Sequence, residues 1–477
     1  MTSGLRRAVL GTILLAGTLL RLEGLGRDSL WHDEGWTASL VRGSPGRLLH
    51  HLRRHDAHPP LYYLLLQAFS PLGDSEAALR LPSALAGIAA IPLLYRLVRR
   101  LYGPAPATLA ALLLALSPAH VHFSQEARSY ALLFLLCLAS LNLLFDLRIA
   151  GGPLRGAAFA ACSAAIMATH YMGAFFLLSE GLAVLLIRRA RSGLLREFLV
   201  SSAGAVLLFL PWLPSFLSHV RDIAGAGFWI PPVTPARVQE ALYELVGHVH
   251  FTSPADKLLT WIPFFATAAA ALLGSPRRED AALLVLLAGP IAGEIAVSLV
   301  SSPVFYTRTF LYVLTPLFAL SSAVLFRLPR LGHAVGCAVL TGLLLPGLIF
   351  SRRVPLKENW RDAAEILLRG TGPEDRIVVV PGYAGVGVEY YALRKGASRE
   401  LDRMRPAGPG TLDRPGLPAD RILGEFAGRK GDVWLVLRYG RDEAWFEALT
   451  TAGFERSSSW KSRGVEIHRY GRRQPPG

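Results

Sequence analysis

The sequence contains a series of separated apolar blocks, and these constrain the fold more than any other feature. Hydrophobic residues make up 52% of the 477-residue chain. They are concentrated in blocks rather than in the stripes of period 2 or 3.6 that are typical of water-soluble strands and helices. A transmembrane helix needs about 20 apolar residues to cross a hydrocarbon core of roughly 30 Å. The blocks therefore predict a polytopic α-helical membrane protein.

We predict about eleven transmembrane helices from the length of these blocks. They lie near residues 8–25, 79–98, 105–122, 129–148, 155–171, 173–188, 197–215, 257–273, 281–300, 309–326 and 333–350. No small-residue cleavage site follows the first block, which we therefore interpret as a retained anchor rather than a signal peptide. Residues 59–72 give only a short apolar helix, which we expect at the membrane interface.

Clusters of arginine between the blocks predict the orientation of the chain. Arg6 and Arg7 precede the first block, and further clusters follow near residues 96–100, 188–196 and 327–330. All of them fall on one side of the membrane if the N-terminus is cytoplasmic and residues 59–72 do not cross. The net charge of +15 is thus spread over short loops. It forms no continuous basic face, which argues against nucleic acid as a partner.

This orientation divides the chain into two predicted domains. Residues 1–350 form a transmembrane catalytic domain with long outer loops at 26–78 and 216–256. Residues 351–477 lack apolar blocks and alternate short helical and strand patterns, which predicts a small extracytoplasmic α/β domain. Its G-Y-A-G-V-G stretch at 382–387 lacks the full dinucleotide fingerprint, and we interpret it as a turn.

Ionisable and aromatic residues are concentrated in the predicted outer loops. The segment S-L-W-H-D-E-G-W carries two adjacent acids, and H-D-A-H-P-P follows in the same loop. A carboxylate at this surface can take a proton from an attacking hydroxyl. Arginine or protonated histidine can hold a lipid phosphate and stabilise charge on it as it leaves. The candidate residues are Asp33, Glu34, Asp56, His58, Tyr62, Glu126, Arg128, His170 and Arg308.

Each candidate also has a purely structural interpretation. Acids in an outer loop are usually solvated, and Tyr62 fits an interfacial aromatic belt. Arg128 and Arg308 fit anchors for lipid headgroups, and His170 fits a buried, hydrogen-bonded histidine equally well. Their combination on one predicted face favours function, because ionisable groups near membrane depth are functional candidates. The pair His248 and His250 lacks a third ligand and is a poor zinc site.

Three ordered motifs carry a family resemblance: W-H-D-E-G-W, D-A-H-P-P-L-Y-Y-L-L-L and S-Q-E-A-R-S-Y-A-L. They resemble the bacterial protein-mannosyltransferase-like family of polytopic glycosyltransferases. This family has the GT-C fold and includes the aminoarabinose transferases that act on lipid A. The resemblance is strongest over residues 26–135. The run R-x-F-L-Y-V-L-T-P at 308–316 and the segment K-E-N-W-R-D-A-A at 357–364 also fit the family.

The resemblance implies an inverting glycosyltransferase of the bacterial inner membrane with an extracytoplasmic C-terminal domain. Its partners would be a polyprenyl-phosphate-linked sugar donor, an extracytoplasmic acceptor and membrane lipids. By position, Asp33 would be the catalytic base, with Glu34 beside it. The donor phosphate would be bound by His58, Tyr62, Arg128 and Arg308, and Asp56, Glu126 and His170 would contact substrate or metal.

The sequence leaves open the cofactor, the function class, and the sugar and acceptor. Relatives differ in metal dependence, so a divalent cation is neither required nor excluded as a cofactor. A transporter or lipid flippase is an alternative, and it predicts acids at mid-membrane and inverted repeats. A non-catalytic assembly protein is a third interpretation. The sequence assigns neither the sugar nor the acceptor.

Overall fold

A computed structural model describes residues 3–54, 56–188, 192–226, 229–247, 253–273, 276–408, 416–426, 430–440 and 443–472. The chain divides into two compact units. We call one the helical unit; it comprises Met1–Leu25, Pro45–Pro71 and Arg80–Val354. We call the other the sheet unit; it comprises Gly26–Ser44, Leu72–Leu79 and Pro355–Gly477.

The described residues form helices along the whole chain. In order they are α1 (Ser3–Leu22), α2 (His32–Val41), α3 (Pro45–Arg54), α4 (Leu61–Ala68), α5 (Glu76–Tyr102), α6 (Pro104–Leu116), α7 (Pro118–Ser124), α8 (Tyr130–Ile149), α9 (Pro153–Thr169), α10 (Gly173–Ile187), α11 (Leu194–Phe209), α12 (Leu213–Ala226), α13 (Pro235–Val246), α14 (Pro254–Ala269), α15 (Arg278–Val300), α16 (Leu314–Leu325), α17 (Arg330–Arg353), α18 (Trp360–Gly370), α19 (Gly385–Arg394), α20 (Ala419–Phe426) and α21 (Glu443–Thr451).

Several helices are long and apolar enough to cross a membrane. Among the described residues there are six: α5, α8, Leu194–Ala224, α15, Thr307–Leu325 and α17. A seventh results if α6 and α7 form one span bent by 58°. The predicted polytopic helical architecture is confirmed, whereas the predicted number of eleven spans is not. The main reason is length, since α9, α10 and α14 have 17, 15 and 16 residues.

The bend between α6 and α7 interrupts a stretch that we predicted as one span at 105–122. Pro118 disfavours the helical conformation for the residue before it, and Ser117 accordingly has φ −59° and ψ 115°. The Ser117 hydroxyl then accepts a hydrogen bond from the His120 N–H at 3.4 Å, which caps α7. Glu126 and Arg128 lie in the turn after α7. The bend therefore helps to determine the position of both side chains.

The predicted short helix after Pro59-Pro60 is confirmed. It is α4, followed by a 3-10 turn at Ser70–Leu72. At eight residues, α4 is about 12 Å long and too short to cross a bilayer. It buries Tyr62 and Tyr63 within the helical unit.

The sheet unit contains a mixed five-stranded sheet. The strands are β1 (Arg376–Val380), β2 (Met404–Pro406), β3 (Val433–Arg438), β4 (Phe454–Ser462) and β5 (Val465–Arg472), in the order β2-β1-β3-β5-β4. The β2, β1 and β3 strands are parallel, and β5 and β4 are antiparallel to their neighbours. The predicted alternation of short helices and strands is confirmed by α18, β1, β3, α21 and β5. Sequence reasoning missed β4, whose residues are mostly exposed and polar.

The W-H-D-E-G-W segment belongs to the sheet unit, although we assigned the whole loop 26–78 to the first domain. Its helix α2 packs against α19 through Gly35. A Cβ atom at Gly35 would lie 3.3 Å from Val386 Cγ2, so a larger residue would push the helices apart. Close packing therefore ties this part of the first outer loop to the C-terminal residues.

The G-Y-A-G-V-G stretch connects β1 to α19. The interpretation as a turn is confirmed for Gly382–Ala384, a 3-10 turn, and is wrong for the rest, since α19 begins at Gly385. A Cβ atom at Gly387 would lie 2.5 Å from the Trp360 ring. This glycine lets α19 pack closely on α18.

Candidate functional site

The first turn of α2 carries the two adjacent acids in different environments. Glu34 is fully buried, and its carboxylate accepts a hydrogen bond from Lys357 Nζ at 3.0 Å. It also accepts the Trp31 N–H at 3.4 Å, at the N-cap position. A buried carboxylate is costly unless it is paired, so Glu34 is held as an internal ion pair. Asp33 is partly exposed. It lies where the helix dipole favours the ionised carboxylate.

A second buried carboxylate, Glu358, supports the same turn. Its side chain is 1% exposed. It accepts hydrogen bonds from the His32 backbone N–H at 3.0 Å, from Trp360 Nε1 at 2.5 Å and from Arg438 Nε at 2.8 Å. The His32 ring also packs on Tyr383, with 5.0 Å between ring centroids. Residues on both sides of Asp33 are thus held by the segment K-E-N-W-R at 357–361.

A third carboxylate, Glu76, is linked through Tyr391 to the residues that precede α2. It accepts hydrogen bonds from Arg361 Nη2 at 2.6 Å, Arg394 Nη1 at 2.7 Å and the Tyr391 hydroxyl at 3.0 Å. The Tyr391 oxygen in turn accepts the Leu30 N–H at 2.9 Å. Burial raises the pKa of Tyr391 to about 12, so the phenol stays protonated and remains a donor.

The helical unit contains a row of polar residues built on Arg128, whose side chain is almost fully buried. Arg128 Nη2 donates to His58 Nε2 at 2.8 Å, and His58 Nδ1 lies 2.6 Å from Asp56 Oδ1. The His58 backbone N–H donates to the same Asp56 oxygen at 2.9 Å. We call Asp56, His58 and Arg128 the arginine row.

The chemistry of the arginine row fixes the protonation state of His58. A guanidinium group has only donors, so His58 Nε2 must accept the hydrogen bond from Arg128. The proton of the neutral imidazole is then on Nδ1, where it is donated to Asp56. In this arrangement the neutral His58 ring accepts from Arg128 and positions its guanidinium group.

Arg308 lies at the start of the 3-10 segment Thr307–Val313 and is surrounded by aromatic rings. Its guanidinium carbon is 5.4 Å from the ring centroid of Tyr130, 5.1 Å from that of Trp229 and 5.0 Å from that of Tyr306. Rings attract a cation without neutralising its charge. Tyr130 connects Arg308 to the arginine row, since Arg128 lies 6.0 Å from the same ring.

The remaining candidates, His170 and Glu126, have different partners. The His170 ring is 6.0 Å from His58 and 5.8 Å from Tyr130, and its Nδ1 accepts the Met172 N–H. Glu126 is nearly buried and pairs with His122 at 3.1 Å.

Tyr62 and Tyr63 contact different parts of Arg128. The Tyr62 hydroxyl hydrogen-bonds with Ser83 Oγ at 2.8 Å, and Ser83 Oγ donates to the Arg128 carbonyl. The Tyr63 hydroxyl instead accepts from Arg128 Nη1 at 3.4 Å. Tyr62 thus supports the backbone of Arg128, and Tyr63 contacts its charged group.

No metal site is apparent in the part of the chain that the structure describes, where no group of three or more His, Cys, Asp or Glu side chains is arranged to hold an ion. His248 and His250 lie outside the described residues.

Sequence reasoning missed several residues that complete these arrangements. In the sheet unit they are Glu76, Lys357, Glu358, Arg361 and Arg438, and in the helical unit the missed residue is Trp229. The K-E-N-W-R-D-A-A segment was recognised, and its alternating charges were the available signal for buried ion pairs. Tyr306 is only two positions from Arg308, whereas nothing in the sequence pointed to Trp229 as a neighbour of Arg308.

Comparison with known proteins supports the predicted resemblance. A family model described as dolichyl-phosphate-mannose-protein mannosyltransferase matches residues 57–215. No curated protein sequence matches the chain significantly. The matched residues include Arg128 and His58, whereas the W-H-D-E-G-W segment lies before them.

Solved structures match over nearly the whole chain. ArnT from Cupriavidus metallidurans in the apo state has a TM-score of 0.64 at 14% identity, covering 98% of both chains. The same protein bound to undecaprenyl phosphate has a TM-score of 0.62 at 14% identity, again covering 98% of both chains. The archaeal oligosaccharyltransferase AglB from Archaeoglobus fulgidus, in complex with an inhibitory peptide and a dolichol-phosphate, has a TM-score of 0.53 at 13% identity, covering 97% of this chain and 74% of that chain. The predicted resemblance and the GT-C-like fold are confirmed.

Proposed function

We propose that this protein is a glycosyltransferase that moves a sugar from a polyprenyl-phosphate donor to an extracytoplasmic acceptor, with inversion at the anomeric carbon. The observation that carries the proposal is the pair of arginines in the helical unit. Arg128 is held by a neutral histidine, and Arg308 is held by aromatic rings. Both guanidinium groups lie near the ring of Tyr130, and the N–H donors of two such groups in one region suit a phosphate.

The helical unit would bind the donor through this charge. A polyprenyl tail remains in the bilayer, and its phosphate is then presented to Arg128 and Arg308. Guanidinium groups bind phosphate oxygens in a bidentate manner. They also stabilise the second negative charge that develops on the phosphate as the sugar leaves.

The sheet unit would supply the base. The Asp33 carboxylate takes the proton of the acceptor hydroxyl while its oxygen bonds to the anomeric carbon. The bond from that carbon to the phosphate oxygen breaks, and its electron pair leaves on polyprenyl phosphate. Glu34, buried against Lys357, supports α2 and does not take part in the proton transfer.

The similar structures support the choice of donor class. ArnT from C. metallidurans was solved bound to undecaprenyl phosphate, and AglB from A. fulgidus with a dolichol-phosphate. The arginine clusters of the sequence favour a position of the sheet unit outside the cytoplasm. We accordingly place the protein in a bacterial inner membrane, with membrane lipids around the helical unit and the acceptor on the outer side.

The first test compares Asp33→Asn with Asp28→Asn. Asp28 is a matched control, because it lies in the same loop and pairs with the neighbouring Arg27 at 2.9 Å. The transfer assay uses full-length protein in lipid nanodiscs, radiolabelled polyprenyl-phosphate sugars from the source cells, and membranes from cells lacking the protein as acceptor. We expect Asp33→Asn to slow transfer by about 10²–10⁴-fold, the usual contribution of a general base, and Asp28→Asn to transfer normally.

Transfer at the normal rate by Asp33→Asn would remove Asp33 as the base. Label that stays on the polyprenyl phosphate, even with wild-type protein, would contradict the transferase proposal. Repeating the assay with EDTA tests the divalent cation that the resemblance left open.

One observation favours a transporter or flippase as the second candidate. Glu180 and Glu294 are fully buried in the apolar helices α10 and α15. Glu180 accepts hydrogen bonds from Ser140 Oγ at 2.9 and 3.0 Å, and Glu294 accepts one from Thr309 Oγ1 at 2.7 Å. A flippase would move lipid across vesicles without covalent transfer, and Glu180→Gln would abolish that movement. A transferase keeps its rate in Glu180→Gln.

A further inference from the structure

We infer that Lys357 and Glu358 are positioning residues for Asp33, so that the C-terminal segment sets the geometry of the base. This inference rests on the proposed function. It assigns a catalytic contribution to two residues that do not themselves contact substrate. All the contacts that carry it lie within the sheet unit.

The two residues hold the chain immediately before and immediately after Asp33. Glu358 Oε2 accepts the backbone N–H of His32, and Lys357 Nζ binds the carboxylate of Glu34. Because the neighbours on either side are fixed, the backbone of Asp33 has little freedom to rotate or shift. Lys357 and Glu358, which are consecutive in the chain, thus hold the two residues that flank Asp33.

These contacts are strong because water does not reach them. The side chains of Glu34 and Lys357 are 0% and 7% exposed, and that of Glu358 is 1% exposed. Hydrogen bonds between charged groups are stronger in such surroundings than at a surface. Glu358 is itself held by Trp360 and Arg438. The contacts that fix α2 therefore include Arg438, which lies in β3 and connects them to the sheet.

Further contacts prevent α2 from moving as a whole. Upstream of Asp33, the Tyr391 hydroxyl accepts the Leu30 N–H. Arg361, in the same segment as Lys357, donates to the Gly26 carbonyl at 3.0 Å. Downstream, α2 packs closely against Val386 at Gly35. Contacts on both sides of Asp33 thus come from residues at least 320 positions later in the chain.

Such rigidity has a direct effect on rate. A general base must be placed within hydrogen-bond reach of the proton that it removes. A misplacement of about 1 Å costs on the order of 100-fold in rate. Loss of Lys357 or Glu358 should therefore reduce turnover while the donor phosphate, which is assigned to the helical unit, binds as before.

The test compares Lys357→Met with Lys395→Met in the full-length chain. Lys395 is a matched control, because it pairs with Glu365 at 3.3 Å on the exposed surface of the same unit. We expect Lys357→Met to lower the transfer rate at saturating donor at least tenfold. Its affinity for undecaprenyl phosphate, measured by thermal shift, should be unchanged. Lys395→Met should behave as wild type in both measurements.

A double-mutant comparison separates positioning from plain stability. A residue that acts through Asp33 has no further effect once Asp33 is gone, so Asp33→Asn with Lys357→Met should be no slower than Asp33→Asn alone. An additive loss would overturn the inference. The Glu34→Gln, Lys357→Met variant removes both charges and should regain the melting temperature but not the rate. Recovery of both would show that Lys357 contributes only stability.

The outcomes also distinguish this inference from the proposed function. Normal transfer by Asp33→Asn would contradict Asp33 as the base and with it the proposed mechanism. Slow transfer by Asp33→Asn together with normal transfer by Lys357→Met would contradict the positioning role alone.

Discussion

Two groups of charged residues, one in each unit, are built in opposite ways. In the sheet unit the buried carboxylates Glu34 and Glu358 each pair with a cation, Lys357 and Arg438 respectively. In the helical unit Arg128 is held by the neutral ring of His58, and Arg308 lies among aromatic rings.

The difference suggests two roles: Glu34 and Glu358 hold a structure, and Arg128 and Arg308 are the residues that we propose to bind phosphate. Breaking a buried ion pair is costly. A guanidinium group that contacts a histidine or aromatic rings can still donate to an incoming anion. We therefore expect substitutions in the sheet unit to change geometry and stability, and substitutions in the helical unit to change affinity for phosphate.

The largest effect should follow from Arg128→Met. The variant keeps the length and apolar stem of the side chain but removes the charge from the leaving phosphate. We expect transfer to fall by about 10²–10³-fold, as when one preorganised donor is removed from an active site. Binding of undecaprenyl phosphate should weaken as well.

Arg155→Met is the matched control for Arg128→Met. The Arg155 guanidinium is exposed and donates to the Ala150 carbonyl at 2.8 Å. Equal losses in the two variants would show that the helical unit binds phosphate by overall charge rather than through Arg128, and the contrast between the two units would fail.

A smaller effect should distinguish His58→Phe from His58→Gln. Phenylalanine keeps a ring but offers no acceptor to Arg128, whereas the glutamine carbonyl can accept the same hydrogen bond. A hydrogen bond to a charged group contributes about 1.5 kcal/mol, which corresponds to about tenfold in affinity. We expect His58→Phe to bind undecaprenyl phosphate about tenfold more weakly, and His58→Gln to remain near wild type. Equal affinities in both variants would contradict the neutral, accepting role of His58.

The smallest effect should come from Tyr391→Phe in the sheet unit. It removes the hydroxyl that accepts the Leu30 N–H and donates to Glu76. We expect the free energy of unfolding of the full chain to fall by about 1 kcal/mol. Affinity for undecaprenyl phosphate should not change, because the residues that we propose to bind phosphate lie in the other unit.

The same variant gives a test of the raised pKa. The pKa of Tyr391 is raised by burial to about 12, above the ordinary value of about 10. A raised pKa in the folded state means that the stabilisation is complete below about pH 10 and lost as the pH rises through the folded value. The difference in melting temperature between wild type and Tyr391→Phe should therefore be constant from about pH 6 to about pH 9. A difference that shrinks within this range would contradict a buried phenol.

The sequence predicted those features that depend on local patterns. Apolar blocks predicted the helical architecture, and the short helix after Pro59-Pro60 followed from its length. In the C-terminal residues, β-branched runs predicted β1 and β3, and their alternation with helices predicted the α/β arrangement. The order of the three motifs along the chain predicted the family resemblance.

The sequence did not predict features that depend on residues far apart in the chain. It also did not predict the choice between adjacent residues or the break within an apolar block. Glu34 and Lys357 are 323 positions apart, and no periodicity relates them. Tyr62 and Tyr63 are adjacent, and only the packing of α4 decides which one reaches Arg128. The break at Ser117 had a local signal in the following proline, but the apolar block continued across it and dominated the prediction.

The division of the first outer loop has a consequence for how the protein is made. Residues 26–44 are synthesised early, yet the side chains that hold Asp33 come from Lys357 and Glu358. At usual translation rates, those 323 positions take roughly 15–65 s to add. During this interval the nascent chain acquires its membrane helices, while Asp33 has no contact yet with the segment that holds its neighbours. Under the proposed function, sugar transfer would begin only after the sheet unit is assembled.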